Sequence, residues 1–188
     1  MATIYLFRHG QTEFNRDKIF TGWKDSKLTS LGIKQAQGIA SLLKDKRIDY
    51  AYQTRLSRSQ DTLAEVLRLH SECQKIITDD RMIERSYGDL SGLSHQEVIN
   101  DYGKEQYDKW HRDFYDTPPN GENFEMVEER VKDFIIDLKN KYSQLNFGIA
   151  ISAHGNSIRL FRKIMEKSTI EETCSWTIPY DQYFEYKI

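Results

Sequence analysis

His9 stands in a short motif whose residue types suit the transfer of a phosphoryl group. It lies between Arg8 and Gly10, directly after the apolar run 3–7. A neutral imidazole is a competent nucleophile at pH 7, a neighbouring guanidinium can hold a phosphate through two hydrogen bonds, and glycine lets the backbone approach a ligand closely. The same residues are also compatible with a histidine that merely ends a strand beside a solvent-facing arginine, so the motif alone leaves both interpretations open.

His154 stands in a second motif of the same design. It follows the apolar run 147–152 and precedes Gly155 and the helix-starting pair Asn156 and Ser157. The N-terminus of a helix is itself a site that binds anions, which again favours a phosphate ligand. The alternatives are a strand-end histidine bonded to a backbone carbonyl and a zinc ligand. Zinc needs three or four ligands, and the sequence shows no supporting cluster of Cys, His and Asp with suitable spacing, so we expect no metal.

Arg58 and Glu84 could supply two further functions that phosphoester chemistry needs. Arg58 lies in the segment 54–59, at a predicted junction between a strand and a helix, from which it could point at the same ligand. Glu84 could protonate the leaving oxygen of a phosphoester. The alternatives are a solvated arginine in the first turn of a helix and an ordinary surface glutamate.

Short apolar runs alternate with amphipathic stretches, which predicts strands that alternate with helices. The predicted strands are 3–7, 50–53, 75–78, 147–152 and a final pair about Pro179, 173–178 and 182–187. The first predicted helix begins after residues 28–30, with Ile33, Ala36, Ala40 and Leu43 at helical spacing. Three further helices are predicted over 57–69, 123–141 and 156–165. Such alternation predicts a three-layer α/β/α sandwich around a mostly parallel sheet.

The predicted sheet suggests how two distant histidines could share one site. Ligands of parallel α/β sheets bind outside the carboxyl ends of the strands. His9 and His154 each follow the carboxyl end of a predicted strand. We therefore expect the two side chains to meet at one edge of the sheet.

Residues 80–121 interrupt this rhythm with a polar and aromatic stretch that closes at the turn signal 118–121. We interpret this stretch as an insertion with one or two short helices that forms a wall over the site. The whole chain, residues 1–188, is then a single domain. The aromatic loop 20–23 looks exposed, and it could line the mouth of a small-molecule site or simply pack.

Composition and charge limit the classes of function. The chain has 27 Lys and Arg against 29 Asp and Glu, a formal net charge of −2, which argues against bulk capture of nucleic acid. No apolar run approaches the roughly 18 residues that a membrane span needs, and the N-terminus lacks the layout of a signal peptide. Cys73 and Cys174 form neither a disulfide framework nor a metal motif. We expect a cytoplasmic protein without nucleic-acid or membrane partners, and a homodimer is compatible with the sequence.

Six motifs follow one another along the whole chain. They are Leu6-Phe7-Arg8-His9-Gly10-Gln11-Thr12-Glu13-Phe14-Asn15; Phe20-Thr21-Gly22-Trp23 with Asp25 and Leu28; the Arg58 junction; Glu84-Arg85-Ser86-Tyr87-Gly88; Tyr102-Gly103 with Glu105-Gln106, Trp110 and Pro118-Pro119-Asn120-Gly121-Glu122; and Ala153-His154-Gly155-Asn156-Ser157-Ile158-Arg159. In this order they resemble the motifs of the histidine phosphatase superfamily, most closely its cofactor-dependent phosphoglycerate mutase branch. The resemblance implies a phosphoglycerate mutase-like fold.

The resemblance also implies a role for each matching residue. It implies that His9 becomes phosphohistidine and that Glu84 is the general acid and base. It implies a cationic clamp around the phosphoryl group, formed by Arg8, Arg58 and His154. A further set would contact the phosphoryl group or line the substrate side: Asn15, Thr21, Gly22, Tyr87, Gly155 and Asn156. No metal is expected, because arginine and histidine supply the counter-charge.

The sequence departs from the mutase pattern at two substrate positions. His95 stands where mutases carry a lysine, and His111 with Arg112 stands where they carry two consecutive arginines. Mutases usually also have a C-terminal tail over the site, whereas this sequence ends at Ile188. Weaker cations and a shorter tail would both favour hydrolysis, since water could then reach the phosphohistidine.

Three functions are therefore compared. The first is the interconversion of 3- and 2-phosphoglycerate through phospho-His9, with 2,3-bisphosphoglycerate as the phosphoryl primer. The second is a histidine-type phosphatase for a small phosphorylated metabolite, in which water takes the phosphoryl group. The third is a non-catalytic protein that binds a phosphorylated ligand. The motif content favours the mutase, and the complete set of Arg8, His9, Arg58, Glu84 and His154 disfavours the binding protein.

Overall fold

A five-stranded sheet forms the centre of the molecule. The computed structural model describes residues 1–188. The strands are β1 (Thr3–Arg8), β2 (Tyr50–Gln53), β3 (Lys75–Thr78), β4 (Gly148–Ala153) and β5 (Tyr183–Lys187). Their order in the sheet is β3-β2-β4-β1-β5. The first four strands are parallel, and β5 alone is antiparallel, paired with β1.

Eight helices accompany this sheet. They are α1 (Glu13–Arg16), α2 (Ser30–Leu43), α3 (Ser57–Leu67), α4 (His95–Tyr102), α5 (Lys104–Arg112), α6 (Phe124–Tyr142), α7 (Gly155–Glu166) and α8 (Ile170–Ser175). None of them is both long and apolar enough to cross a membrane.

Alternate side chains of β1 enter two different cores, because successive residues of a strand point to opposite faces of the sheet. Tyr5 and Phe7 pack with α2 and α3 on one face. Ile4 and Leu6 pack with α6 and α7 on the other face. The predicted three-layer α/β/α sandwich with a mostly parallel sheet is thereby confirmed.

The stretch 80–121 contains two 3₁₀ turns, Asp80–Met82 and Gly88–Leu90, and then α4 and α5. Its apolar side chains form a small third core that also includes Phe20 of the 20–23 loop. Phe20 is buried there, although this loop was expected to be exposed. Fully buried Arg85 donates to the carbonyls of Trp110 and His111, which end α5. This arginine therefore ties the last turn of α5 to the body of the protein.

The prediction of a strand at 173–178 is wrong. Residues up to Ser175 belong to α8, and β5 pairs with β1 rather than with this segment. Thr169 and Glu172 form a capping box, which starts a helix and outweighs the local strand preference of the residues that follow.

Ile33 also departs from its expected position. Its helical spacing suggested the buried stripe of α2, yet the side chain is 41% exposed. The buried stripe runs through Gly32, Ala36, Ile39 and Leu43, so Ile33 lies at its margin and faces an open groove beside Phe14 and Leu28.

Candidate active site

The carboxyl edge of the sheet brings His9 and His154 together. Strands β1 and β4 are parallel neighbours, with Arg8 in register with Ala153. The residues that follow are His9 and His154, whose ring centres lie 5.0 Å apart. Two residues that are distant in sequence therefore share one site, as the strand-end rule predicts.

The hydrogen bonding of His9 determines which ring nitrogen is free. Its Nδ1 lies 2.7 Å from the carbonyl oxygen of Gly10. A carbonyl can only accept, so Nδ1 carries the proton and Nε2 keeps its lone pair. Burial, and then the charges of Arg58 and Arg8, hold the pKa of His9 well below its ordinary value of 6.5. The ring is therefore neutral at pH 7, and Nε2 keeps the lone pair that a nucleophile would need.

Arg8 and Arg58 supply positive charge beside His9. Arg58 is only 1% exposed, and it donates to the carbonyls of Gly22 and Lys24 at 2.8 and 2.9 Å. Arg8 donates to the carbonyl of Ile178 at 2.8 Å. The Nε atoms of both arginines are buried without a hydrogen-bond partner in the chain. Buried donors of this kind favour an anionic ligand, because an unsatisfied buried polar group is costly.

His154 lies beside this pair in a neutral form. Its Nε2 is 2.8 Å from the hydroxyl of Thr54, and its Nδ1 is buried without a partner. Burial, followed by the charges of Arg58 and His9, lowers its pKa well below 6.5. If the Thr54 hydroxyl donates to Nε2, then Nδ1 carries the proton and can donate to an anion.

Glu84 is held in place through both its backbone and its side chain. Its Oε1 accepts from the backbone N–H groups of Arg85 at 2.8 Å and Asn156 at 3.2 Å. Its carbonyl accepts from the Trp23 indole at 2.7 Å. Oε2 takes part in no hydrogen bond within the protein, which leaves it able to exchange a proton with a ligand.

A cavity of about 190 Å³ opens at this edge of the sheet. It is lined by most of the residues predicted for the site: Arg8, Asn15, Thr21, Gly22, Glu84, Tyr87, His95, His111, Arg112, Gly155 and Asn156. The other three, His9, Arg58 and His154, are more deeply buried beside it. A larger groove of about 830 Å³ lies between α2, α3 and the 25–28 segment and contains none of the predicted residues.

The near wall of the cavity, formed by the 12–22 segment, depends on two local structures. Thr12 caps the one-turn helix α1, and the Asn15 side-chain oxygen accepts from the backbone N–H and the hydroxyl of Thr12. The Asn15 amide N–H groups are thus free to donate. Gly22 has a φ of +52°, and a Cβ there would come within 2.8 Å of the Ser91 hydroxyl. Glycine is therefore required where the chain turns to present its carbonyl to Arg58.

The far wall of the cavity, formed by α4 and α5, contains two neutral histidines. His95 stacks on Phe20, with ring centres 4.3 Å apart, and its Nδ1 lies 2.9 Å from the Tyr107 hydroxyl. Burial, then the charge of Lys18, lowers its pKa. Burial and then the charge of Arg112 lower the pKa of His111 to about 3. Both rings therefore act as neutral hydrogen-bonding groups at pH 7, and Arg112 carries the fixed charge beside them.

Arg159 is a cavity residue to which the sequence analysis gave no role. It is 8% exposed, and it donates to the Asn156 side-chain oxygen and to the carbonyl of Trp176. It forms no ion pair with a carboxylate. Burial and then the charge of Arg112 lower its pKa to about 10, so it stays charged at pH 7. The signal was available in the sequence, because Arg159 follows Asn156 by three residues and so shares its helix face.

Comparisons with known proteins agree with this geometry. Residues 4–183 match the family model of the histidine phosphatase superfamily, branch 1. A 2,3-bisphosphoglycerate-dependent phosphoglycerate mutase of Parvibaculum lavamentivorans is 36% identical over 180 residues, which cover 93% of this chain and 85% of the relative. A protein of the same name from Pseudoalteromonas atlantica is 31% identical, over 95% of this chain and 90% of the relative.

One similar solved structure is named as a phosphatase rather than as a mutase. The α-ribazole phosphatase of Shigella flexneri superposes with a TM-score of 0.84 at 27% identity, covering 97% of this chain and 89% of that structure. The family match over almost the whole chain coincides with the paired histidines, the arginines and the glutamate of the cavity. The chain therefore belongs to branch 1 of the histidine phosphatase superfamily, a family of enzymes.

Proposed function

We propose that the protein interconverts 3- and 2-phosphoglycerate through a phosphohistidine at His9. The observation that carries this proposal is the distribution of unpaired arginines. Arg8, Arg112 and Arg159 all line the cavity, and none of them forms an ion pair. A ligand with two separate anionic groups would satisfy Arg8 with one group and the pair Arg112 and Arg159 with the other. Phosphoglycerate carries such groups, a phosphate and a carboxylate, and the relatives named as phosphoglycerate mutases support the choice.

The chain's own residues can perform each part of the transfer. Nε2 of His9 attacks phosphorus, so that an N–P bond forms as the P–O bond to the leaving oxygen breaks. Oε2 of Glu84 delivers a proton to that oxygen and removes one from the accepting hydroxyl in the reverse sense. Arg8, Arg58 and Nδ1–H of His154 stabilise the charge on the phosphoryl oxygens in the transition state.

The same residues fit the primer that such a mutase requires. The buried, unpartnered atoms of Arg8, Arg58 and His154 suit one phosphate, and Arg112 with Arg159 suits a second anionic group. 2,3-Bisphosphoglycerate, when bound, supplies the phosphoryl group that primes His9.

We further propose that the stretch 80–121 acts as a wall within one domain over residues 1–188, since its α4 and α5 carry His95 and His111 into the cavity.

One assay with two readouts tests the proposal. The protein is given 3-phosphoglycerate with a trace of 2,3-bisphosphoglycerate, and both 2-phosphoglycerate and free phosphate are measured. We expect isomer formation that exceeds phosphate release, and loss of activity in His9→Ala. Release of phosphate without any isomer would contradict the mutase function, and activity retained by His9→Ala would contradict the phosphohistidine.

Hydrolysis of a small phosphate ester is the second candidate function. It is favoured by the neutral state of His95 and His111 on the far wall, which reduces the charge available for a second anionic group. The solved α-ribazole phosphatase supports it as well. In this case 3-phosphoglycerate yields no 2-phosphoglycerate, and simple phosphate monoesters given to the protein in the same assay yield free phosphate.

A further inference from the structure

The segment 176–182, which joins α8 to β5, lies against the phosphoryl end of the cavity. Two arginines of the site hold its backbone. Arg159 donates to the carbonyl of Trp176 through Nε at 2.9 Å and Nη2 at 2.7 Å. Arg8 donates to the carbonyl of Ile178 at 2.8 Å, and the Ile178 side chain is 1% exposed. The segment is therefore fixed by two of the cations that line the cavity.

Tyr180 of this segment lies directly against the two residues that do the chemistry. Its ring covers the Arg8 guanidinium, whose central carbon is 4.0 Å from the ring centre. It also meets the ring of His9 edge-on, with the centres 6.5 Å apart. A guanidinium over an aromatic face is attracted by the ring quadrupole, so this contact limits the movement of Arg8.

The order of the strands in the sheet determines on which side of His9 the Tyr180 ring lies. Strand β1 lies between β4 and β5. His9 follows β1, and it has His154 on its β4 side and Tyr180 on its β5 side. The tyrosine ring therefore lies on the side of His9 away from His154, where it also packs on the Arg8 guanidinium.

We propose that Tyr180 is a positioning residue that holds Arg8 against the phosphoryl group and keeps water from phospho-His9. This inference rests on the proposed function, because it concerns the lifetime of the phosphohistidine. In the competing reaction a water oxygen bonds to phosphorus, the N–P bond breaks, and its electron pair returns to Nε2. The water proton passes to Glu84, and inorganic phosphate is released. By excluding this water, Tyr180 sets the ratio of phosphoryl transfer to hydrolysis.

The test measures the lifetime of the phosphohistidine in the full chain. The protein is labelled with phosphoramidate, a small phosphoryl donor that requires no substrate specificity, and the acid-labile phosphate on His9 is followed over time. We expect Tyr180→Ala to shorten its lifetime by about tenfold relative to the unaltered protein, since both the ring cover and the cation–π contact are lost. Tyr180→Phe should behave like the unaltered protein, because the ring and not the hydroxyl makes the contacts.

Tyr115→Ala is the matched control, since it removes an exposed tyrosine that does not line the cavity, and its phosphohistidine lifetime should not change. Tyr180→Ser provides a second small side chain if Tyr180→Ala fails to fold. An unchanged lifetime in the small variants, or an equally short lifetime in Tyr180→Phe, overturns the inference while the phosphohistidine itself stands. Absence of label in the unaltered protein overturns the proposed function and this inference together.

Discussion

The sequence shows that His9 belongs to a His-Gly motif, but the protonation state of its ring depends on its surroundings in the folded protein. Its Nδ1 proton is held by the Gly10 carbonyl, and burial together with Arg58 and Arg8 keeps the ring neutral. At this scale the candidate site consists of one neutral imidazole beside two arginines, whose positive charge opposes its protonation. In the proposed function, the same arginines would bind the phosphoryl group and keep His9 in its nucleophilic form.

A titration of the imidazole nitrogens checks this protonation state. Because its pKa is lowered, His9 should remain neutral, with the proton on Nδ1, as the pH falls through the ordinary value of 6.5. Heteronuclear NMR of the ¹⁵N-labelled side chain should then show an unprotonated Nε2 at pH 6. Protonation of both nitrogens at or above pH 6.5 would contradict the assignment.

Arg112 allows the proposed second anionic subsite to be tested without disturbing the first. Arg112→Met should weaken the binding of 3-phosphoglycerate by about tenfold or more, because a charge-assisted hydrogen bond contributes about 1.5–3 kcal/mol. The binding of inorganic phosphate, which needs only the His9 end, should not change. Both dissociation constants can be measured by calorimetry.

Lys109→Met on the same helix is the control for this experiment, since Lys109 pairs with Glu105 outside the cavity. A parallel loss of affinity for both ligands in Arg112→Met would mean that Arg112 acts on the whole site rather than on a carboxylate.

The elements of the site depend on a few backbone positions and anchors. The loop that contains Gly22 presents two carbonyls to Arg58, and Arg85 holds the end of α5. Each of these arginines links a loop or a helix end to the body of the protein. The walls of the cavity are thus positioned by buried cations that donate to backbone carbonyls.

Gly22→Ala tests the loop. A Cβ at a φ of +52° and 2.8 Å from the Ser91 hydroxyl should reduce the free energy of unfolding by about 1–3 kcal/mol, and it should lower kcat because the partners of Arg58 move. Gly38→Ala is the matched control, since nothing lies within 4 Å of its Cβ position in the middle of α2. It should stabilise the protein by about 0.5–1 kcal/mol and leave kcat unchanged. Equal effects of the two substitutions in chemical denaturation would contradict this account.

Across the whole molecule, buried neutral histidines link stability to pH. His9, His154 and His111 all have a pKa below 6.5 in the folded state, so the unfolded chain binds more protons than the folded protein once the pH falls below that value. Stability is then complete above pH 6.5 and is lost as the pH falls toward the folded pKa values. Each of the three should cost on the order of 1 kcal/mol at pH 5.5.

Denaturant unfolding at pH 7.5 and pH 5.5 measures this linkage, and the free energy of unfolding should be clearly smaller at pH 5.5. His9→Asn should show a smaller loss between the two pH values, because one of the titrating groups is gone. Equal stability at both pH values in the unaltered protein would mean that the histidines are not buried in the neutral form.

The sequence by itself was sufficient for the strands that end in His-Gly motifs, the three-layer architecture and most residues of the cavity. These features depend on local patterns, since a β-branched run, a cap or a glycine acts on its own neighbourhood. It was not sufficient for the segment 173–178, where a capping box outweighed a strand pattern.

Tertiary structure alone decided the properties that arise from contacts between distant residues. The neutral state of His95 and His111 comes from partial burial against the third core and from neighbouring cations. The spacing of Arg159 from Asn156 indicates a shared helix face, but only its hydrogen bonds to the carbonyl of Trp176 fix the side chain in the cavity wall. Tyr180 reaches His9 because β5 pairs with β1. Charge, burial and proximity of this kind depend on which segments pack together, and no local sequence pattern contains that information.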